Sequence, residues 1–326
     1  MTKRTLVQAV NDGLRTALHS NSRIMVLGED VGLNGGVFRA TDGLIQEFGE
    51  ERVVDTPLSE SGILGTSVGL AVNGMIPIPE MQFMAFMYPG FEQVVSHIAR
   101  LRYRSRSRFT LPMVIRIPYG GRIRAPELHS ESTEVFFAHT PGLTVVSPSC
   151  PYDAKGLLLS AIESPDPVLF LEPMRIYRAF REEVPDESYT VPLYKANIVK
   201  EGKDVSLITW GTMVRESLEV IKKVEEVYGW SIELIDLRTL SPWDEETVFS
   251  SVVKTGRAVI VHEAVGHAGL GAEISARISE ECVLQLESPV VRVASFDVPP
   301  PLFSLEDIHA PFANRIAMGI HQTMTF

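Results

Sequence analysis

Glu60 is the side chain of this sequence whose type and setting most suggest chemistry. It lies in a stretch, residues 55–74, that reads as the end of a strand, a Thr-Pro turn and the start of a helix. Gly62, Gly65 and Gly69 share one face of that helix, and a helix with several glycines usually packs closely against another backbone or a ligand. Glu60 therefore has two interpretations: an acidic residue that complements the helix dipole, or a partly buried carboxylate that exchanges protons with a ligand.

His129 is the second candidate, and it lies in a long polar loop, residues 118–137. A loop of this length inside a compact domain is usually functional or disordered. The histidine is either an ordinary surface residue or a group that exchanges protons near neutral pH, and its position alone decides neither.

Two further clusters are open to more than one interpretation. Methionine and aromatic side chains at residues 81–89 follow a predicted strand and suit either a hydrophobic core or the wall of a cofactor site. Arginines from Arg100 to Arg108 lie at the end of a helix predicted over residues 91–104. They suit a solvated helix end or a patch for an acidic partner or an anionic ligand.

The elements that would position these residues alternate between apolar strands and amphipathic helices, which predicts parallel sheets covered on both faces. A charged, proline-punctuated segment interrupts the alternation between Glu172 and Lys195. The predicted fold class is therefore α/β, with tandem α/β domains of mainly parallel sheets at residues 1–180 and 199–326 and a linker at residues 181–198. The predicted strands are residues 24–27, 52–55, 76–80, 113–117, 143–146, 168–171, 205–210, 232–236, 258–262 and 290–294.

Composition and charge exclude several classes of protein. The net charge of −11 argues against binding to nucleic acid through phosphate contacts and against a general attraction to anionic membranes. Only 2 cysteines occur, in unrelated contexts, so neither a disulfide framework nor a cysteine-based metal site is expected. No apolar run approaches the ~18 residues of a membrane span. The N-terminus has no signal-peptide pattern, so we expect a cytoplasmic protein.

Short stretches, in order along nearly the whole chain, closely resemble the beta subunit of the decarboxylating component of 2-oxo acid dehydrogenase complexes. These thiamine-diphosphate enzymes act on pyruvate, acetoin or branched-chain 2-oxo acids. The resemblance implies a pyrimidine-binding domain followed by a transketolase-like C-terminal domain. The stretches are Leu27–Val31, Gly36–Arg39, Thr56–Glu60, Glu80–Phe83, Tyr103–Ser105, His129–Ser130, His139–Leu143, Asp236–Thr239, Pro242–Trp243 and His262–Ala264.

The resemblance also implies roles for particular residues. Glu60 matches the catalytic glutamate that hydrogen-bonds the pyrimidine ring of thiamine diphosphate. Phe86 matches the aromatic residue that packs on that ring, and Leu58 and Gln82 match residues that line the same pocket. His129 matches a loop histidine that orients the reaction intermediate or serves acyl transfer to lipoyl-lysine.

Glu29 and Glu80 match acidic residues that lie behind the catalytic glutamate and are candidates for a proton relay. At two positions the chain departs from the family. Glu131 stands where the family usually has glutamine, which changes the charge of the histidine loop. Ser164 replaces an acidic residue where some relatives bind K⁺, so no metal is assigned to this chain.

The resemblance implies an alpha2beta2 heterotetramer that passes acyl groups to the lipoyl-lysine of an acyltransferase core. The alpha subunit is expected to hold the diphosphate through Mg²⁺ with a Gly-Asp-Gly motif, which this chain lacks. Stretches such as Gly35–Arg39 resemble the branched-chain member more than the pyruvate member, so a branched-chain 2-oxo acid is the predicted substrate. The alternatives are a pyruvate or acetoin dehydrogenase beta subunit, a transketolase-like second half without lipoyl transfer, and a non-catalytic scaffold subunit.

Overall fold

Parallel β-sheets form the centre of each unit of the computed structural model, which describes residues 1–326. The first unit contains residues 1–119 and 136–193, and the second contains residues 120–135 and 194–326. Tandem α/β domains with mainly parallel sheets are therefore confirmed. None of the helices combines the length and the apolar character that a bilayer span requires.

The strands of the first unit are β1 (Thr2–Arg4), β2 (Ile24–Gly28), β3 (Val53–Asp55), β4 (Ile76–Glu80), β5 (Val114–Tyr119), β6 (Thr144–Val146), β7 (Val168–Pro173) and β8 (Glu182–Val184). The strands from β2 to β7 lie side by side in the order β6-β7-β5-β4-β2-β3, and every adjacent pair is parallel. β1 and β8 form a separate antiparallel pair. The strands β2, β4, β5 and β7 are buried along their whole length, which explains their largely apolar sequences.

The helices up to the second sheet are α1 (Leu6–Ser20), α2 (Leu44–Phe48), α3 (Glu60–Val72), α4 (Leu101–Arg104), α5 (Glu134–Ala138) and α6 (Pro151–Glu163). Thr5 and Gln8 form a capping box that fixes the start of α1. The segment predicted as one helix over residues 91–104 is largely helical but is not one continuous α-helix, because a π-helix (Gln93–Ile98) precedes α4. The Ala99 N–H donates to the Val94 carbonyl over 2.9 Å, and this five-residue spacing widens the turn and interrupts the α-helical ladder.

The second unit contains strands β9 (Asn197–Lys200), β10 (Val205–Thr209), β11 (Ile232–Asp236), β12 (Thr239–Ser241), β13 (Ala258–Val265) and β14 (Val291–Ser295). Its helices are α7 (Thr212–Tyr228), α8 (Glu245–Thr255), α9 (Leu270–Cys282), α10 (Glu306–His309) and α11 (Ala313–Met324). The sheet order is β14-β13-β10-β11-β9, and only β9 is antiparallel to its neighbour. Leu207, Leu234 and Ile320 belong to the core between this sheet and its helices. The linker at 181–198 stays a prediction; β8 lies within it and β9 begins there.

Arg116 is a buried cation in the middle of the first sheet. Its Nη1 donates to Glu80 Oε2 at the end of β4 over 2.5 Å, and its Nε and Nη2 donate to both carboxylate oxygens of Glu172 in β7 over 2.6 and 2.9 Å. The Tyr177 hydroxyl donates to Glu172 Oε2 over 2.5 Å. Burial alone lowers the pKa of Arg116, but the charges of Glu172 and Glu80 outweigh it and raise that pKa above its ordinary value. The network therefore joins three adjacent strands through charged groups that water does not reach.

Replacing Arg116 by methionine is expected to destabilise the first unit strongly. The variant leaves the buried carboxylates of Glu80 and Glu172 without their cation, and breaking a buried pair in this way typically costs ~3–5 kcal/mol. Urea unfolding followed by circular dichroism measures the loss. Arg102→Met is the matched control, because Arg102 pairs with Asp166 at the surface and should change stability little. Equal stabilities of the two variants would contradict the importance of the buried network.

Candidate active site

The carboxyl ends of β2, β3 and β4 bring most of the predicted site residues of the first unit to one edge of its sheet. Glu29 follows β2, Glu60 begins α3 after β3, and Gln82 and Phe86 follow β4. Because β3 lies on one side of β2 and β4 lies on the other, the strand order reverses direction at this point. Ligands of open α/β sheets bind in the crevice outside such a reversal point.

Glu29 and Glu60 form a pair of neighbouring carboxyl groups at this edge. Ser59, the N-cap of α3, donates its backbone N–H to Glu29, and its hydroxyl accepts from the Gly62 N–H over 3.3 Å. Burial raises the pKa of Glu29, and the negative charges of Glu60 and Asp30 raise it further. A carboxyl group whose pKa is raised beside a second carboxylate is suited to hold a proton that can be passed to a ligand.

Gln82, Phe86 and Leu58 are held in different ways by the rest of the chain. Gln82 Nε2 donates to Asp30 Oδ2 over 3.5 Å, a long hydrogen bond. Phe86 packs edge-on against Phe83, with ring centroids 5.2 Å apart. Leu58 is 79 % exposed, so its apolar side chain has no core position in this chain. The site therefore offers an amide, an aromatic ring and an exposed aliphatic side chain around its acidic groups.

Glu80 has a different environment from Glu29. Only 4 % of Glu80 is exposed, and its Oε2 accepts from Arg116 in the buried network. Burial raises the pKa of Glu80, while the neighbouring positive charge of Arg116 opposes that shift. Glu80 thus ties the end of β4 to the interior of the sheet, and its proposed part in a proton relay stays a prediction.

Gly90, which lies outside α3, allows its segment to pack closely against Leu64 and the backbone of Glu60. A Cβ on Gly90 would lie 2.6 Å from Leu64 Cδ1 and 3.4 Å from the Glu60 carbonyl. The close packing expected on the glycine face of α3 itself is absent from this chain. A Cβ on Gly69 would meet nothing within 4 Å, and one on Gly65 would meet only the side chain of Gln93. No other element of this chain packs closely on that face at Gly69.

His129 belongs to the second unit, because the loop of residues 120–135 folds with that unit. Its Nδ1 lies 2.9 Å from the carbonyl oxygen of Glu127, and its backbone N–H donates to the Pro126 carbonyl over 3.3 Å. These contacts place the imidazole on a tight turn inside the loop. The Gly120 N–H donates to the Glu131 carbonyl over 3.0 Å and so joins the two arms of the loop.

A cavity of about 400 Å³ lies beside this loop within the second unit. Ser130, Glu131, Glu263, Glu306 and His309 are among the residues of its wall, but apolar residues such as Val298 and Pro299 contribute more of its surface than the polar groups do. The buried hydroxyl groups of Ser132 and Thr133, which also line it, have no hydrogen-bond partner in the chain. A cavity with such groups suits water or a small polar ligand.

Glu134 and His262 are buried titratable groups of the second unit. Burial raises the pKa of Glu134 to about 8, and the charge of Glu263 adds to the shift, although the Trp210 indole donates a hydrogen bond to the carboxyl group. His262 stacks on Trp210 with ring centroids 5.4 Å apart, and burial lowers the pKa of His262 to about 4. At pH 7 both groups are therefore mainly neutral in the folded protein.

Sequence reasoning missed three residues that the structure places in or behind these sites. Asp30 adjoins Glu29 and accepts from Gln82, and its position at a strand end was a signal for it. Arg116 was visible as the single charge in an apolar strand. Glu306 hydrogen-bonds the histidine loop although it lies about 180 residues further along the chain, and no local sequence pattern predicts that contact.

Comparison with known families agrees with both units. Residues 2–179 match the family described as "Transketolase, pyrimidine binding domain", and residues 194–316 match "Transketolase, C-terminal domain". A solved structure described as "Split gene transketolase, inactive beta4 tetramer" has the same fold, with a TM-score of 0.81, 23 % identity and coverage of 99 % of both chains. The chain is a member of the class of transketolase-like two-domain proteins.

Relatives within this class are closer in sequence. The chain is 50 % identical over 326 residues, 100 % of both chains, to a "Pyruvate dehydrogenase E1 component subunit beta" of Staphylococcus aureus strain Mu50. It is equally similar, at 50 % over the same length, to the protein of that name from Staphylococcus epidermidis. The chain therefore belongs to the family of beta subunits of the decarboxylating component of 2-oxo acid dehydrogenase complexes, which confirms the resemblance found in the sequence.

Replacing Glu134 by glutamine is expected to flatten the pH dependence of stability. The carboxyl group titrates near 8 in the folded protein and near 4.5 when unperturbed. Between these values the folded state binds the additional proton, so the wild-type protein loses stability as the pH rises, by at most ~5 kcal/mol. Glutamine keeps the shape and cannot ionise. Urea unfolding at about pH 5.5 and about pH 8.5 compares the two proteins.

Glu226→Gln is the matched control for this experiment, because Glu226 is an exposed glutamate on α7 of the same unit. It should keep the wild-type pH dependence. If Glu134→Gln loses as much stability as the wild-type protein over the same pH range, Glu134 is not protonated in the folded protein.

Proposed function

We propose that this chain binds the aminopyrimidine end of thiamine diphosphate and supports oxidative decarboxylation of a 2-oxo acid, with acyl transfer to lipoyl-lysine. The observation that carries this proposal is the Glu29–Glu60 carboxyl pair at the reversal point of the first sheet. A pyrimidine has ring nitrogens that accept or share a proton, and an amino group that donates. Carboxyl groups and an amide are the protein groups that complement it.

The residues at the sheet edge fit this part of the cofactor. Glu60 would share its proton with a pyrimidine ring nitrogen, and Glu29 beside it would supply or store that proton because its own pKa is raised. Phe86 would pack against the flat ring, and Leu58 would cover it from the side. When bound, thiamine diphosphate supplies the reactive carbon and the electron sink for decarboxylation. The task of this chain is to orient the ring and to hold a proton at Glu60.

His129 would act later, at the transfer of the acyl group. An imidazole on a loop can hold or release a proton near neutral pH. Its Nδ1 lies 2.9 Å from the Glu127 carbonyl, and this contact fixes the direction of the ring. In the proposed transfer the disulfide of the lipoyl group takes the acyl group on one sulfur and the electron pair on the other, its S–S bond breaks, and the released thiolate takes up a proton. An imidazole beside that sulfur would supply the proton or orient the group.

An alpha subunit would complete the active site in an alpha2beta2 heterotetramer. The candidate groups at this edge are carboxyl groups, an amide and apolar side chains, which do not attract a diphosphate. The alpha subunit would hold the diphosphate and Mg²⁺. The uncovered glycine face of α3, with Gly62 and Gly69 exposed, is suited to close approach by another chain. A lipoyl-bearing acyltransferase core would then accept the product.

The proposal also includes the identity of the 2-oxo acid substrate. Motifs of the sequence predict a branched-chain 2-oxo acid, but the relatives at 50 % identity carry the name pyruvate dehydrogenase. The comparisons do not support the branched-chain preference, and we propose pyruvate as the first substrate to test. The experiment is to co-purify the chain with its alpha subunit and compare pyruvate with 3-methyl-2-oxobutanoate. A higher kcat/KM for 3-methyl-2-oxobutanoate would overturn the pyruvate assignment.

Replacing Glu60 by glutamine is expected to leave assembly with the alpha subunit intact and to slow decarboxylation by ~100- to 10,000-fold, the usual contribution of a general acid–base group. Glutamine fills the same space but cannot share a proton with the pyrimidine. Turnover with an artificial electron acceptor measures the effect. Glu50→Gln, at an exposed position of the same unit, is the control and should keep full activity.

Near-normal turnover of assembled Glu60→Gln would instead favour a scaffold subunit without its own part in the chemistry. A slow variant that also fails to transfer acyl groups, together with a wild-type enzyme that acylates a lipoyl domain, supports the dehydrogenase. A wild-type enzyme that turns over substrate but never acylates the lipoyl domain would favour the transketolase-like alternative.

A further inference from the structure

The loop that carries His129 is fixed by side chains of the C-terminal part of the chain. The loop follows β5 of the first unit in sequence, yet residues 120–135 fold with the second unit. Its anchors are therefore long-range contacts rather than the strand that leads into it. The most specific of them are hydrogen bonds to Glu306 and Glu263.

Glu306 binds the loop on both sides of the His129 turn. Its Oε2 accepts the backbone N–H of Arg124 over 3.0 Å, and its Oε1 accepts the hydroxyl of Ser130 over 3.3 Å. Ser130 directly follows His129 in sequence. Only 3 % of Glu306 is exposed, so the carboxylate is shielded from water and these hydrogen bonds are correspondingly strong. One side chain thus bridges the residues that flank the histidine.

Glu263 fixes the start of the loop. Its Oε1 accepts the Gly121 N–H over 2.6 Å. Gly120 has a positive φ of 91°, and a Cβ there would lie 3.0 Å from Glu263 Oε2. Glycine is therefore required at this position both by the backbone conformation and by the close carboxylate.

The arginines of the loop provide further anchors. Arg122 Nη1 donates to Glu216 over 3.1 Å, and its guanidinium lies 4.7 Å from the ring centroid of Phe312. Arg124 Nη2 donates to Asp307 over 2.6 Å. These contacts are partly exposed. Glu306 is the anchor whose partner Ser130 directly follows His129 in sequence, so its hydrogen bonds are the most specific for the histidine turn.

We propose that Glu306 is a positioning residue for His129, and that the C-terminal domain in this way takes part in acyl transfer. The carboxylate holds Arg124 and Ser130 at a fixed separation and thereby sets the direction of the imidazole between them. Glu263 supports it by holding the start of the loop. This inference rests on the proposed role of His129 and adds a role for the C-terminal domain beyond holding subunits together.

A positioning role predicts an effect on acyl transfer and a smaller effect on decarboxylation. In the assembled enzyme, Glu306→Ala should slow acylation of a lipoyl domain by ~10- to 100-fold, because displacement of a reacting group by about an ångström has effects of this size. Decarboxylation with an artificial electron acceptor should change much less. Glu306→Gln keeps one accepting oxygen and should lie between wild type and Glu306→Ala.

Asp297→Asn is the matched control. Asp297 lines the same cavity as Glu306, but its Oδ1 accepts the backbone N–H of His267, which lies outside the loop. Its variant should acylate the lipoyl domain at the wild-type rate. A loss in Asp297→Asn equal to that in Glu306→Ala would mean that any change of an acidic residue in the cavity wall has this effect, and would overturn the proposal.

A double-mutant cycle with His129→Ala separates positioning from general support of the fold. If Glu306 acts through His129, the double variant should be no slower than His129→Ala alone. Additive losses would overturn the proposal, because Glu306 would then act independently of His129. Normal acyl transfer by His129→Ala would overturn the role of His129 itself. Slow transfer by His129→Ala with normal transfer by Glu306→Ala would overturn this inference alone.

Hydrogen exchange gives a readout without turnover. In Glu306→Ala the backbone N–H of Arg124 loses its acceptor, so peptides that cover residues 122–131 should exchange faster, while peptides from β10 and β13 should not change. Unchanged exchange over the loop would overturn the proposed anchoring. Faster exchange throughout the second unit would show general destabilisation and would also overturn it.

Discussion

The buried Arg116 is the interaction on which the candidate active site most depends. It joins β4, β5 and β7 through Glu80 and Glu172. β4 leads to Gln82 and Phe86, and β5 leads to the loop of His129. In a parallel sheet, the position of a strand end depends on the register between that strand and its neighbours. The ion network lies at the carboxyl ends of β4 and β7, next to the edge at which Gln82 and Phe86 emerge. Burial makes the network costly to break, and so it limits how far these ends can shift.

This arrangement explains why Glu29 and Glu80 differ although both were predicted to lie behind Glu60. Glu80 has a buried cation as its partner, and Glu29 has other carboxylates as neighbours. The first is held as part of the framework. The second has a raised pKa and a partly exposed position, which are the properties of a group that exchanges protons. Of the two acidic residues predicted to lie behind Glu60, Glu80 thus helps to fix the sheet, and Glu29 is the one whose pKa is raised beside other carboxyl groups.

The alternation of apolar strands and amphipathic helices was sufficient to predict the fold class. That Glu29, Glu60, Gln82 and Phe86 belong to one site was implied by the family resemblance, and the geometry of the parallel sheet explains why they lie at one edge. It could not be predicted in this way that the His129 loop folds with the second unit. This placement depends on single hydrogen bonds from Glu263 and Glu306, more than 130 residues further along the chain, and such contacts leave no periodic pattern. The π-helix before α4 was missed because its local sequence is that of an ordinary amphipathic helix.

The two proposed roles would place opposite demands on this chain. Proton exchange at Glu60 would need a neighbouring acid and access for a ligand, and that side chain is only partly buried, with Leu58 exposed nearby. Orientation of His129 would need a fixed turn, and the Glu306 carboxylate that binds both sides of the turn is almost completely buried. An exposed acidic edge with an uncovered glycine helix is stable in water but is not a closed active site, because water would compete for every polar contact in it. In the proposed enzyme, the first unit would therefore supply groups that act once the alpha subunit covers them, whereas the histidine loop is already held by contacts within the chain.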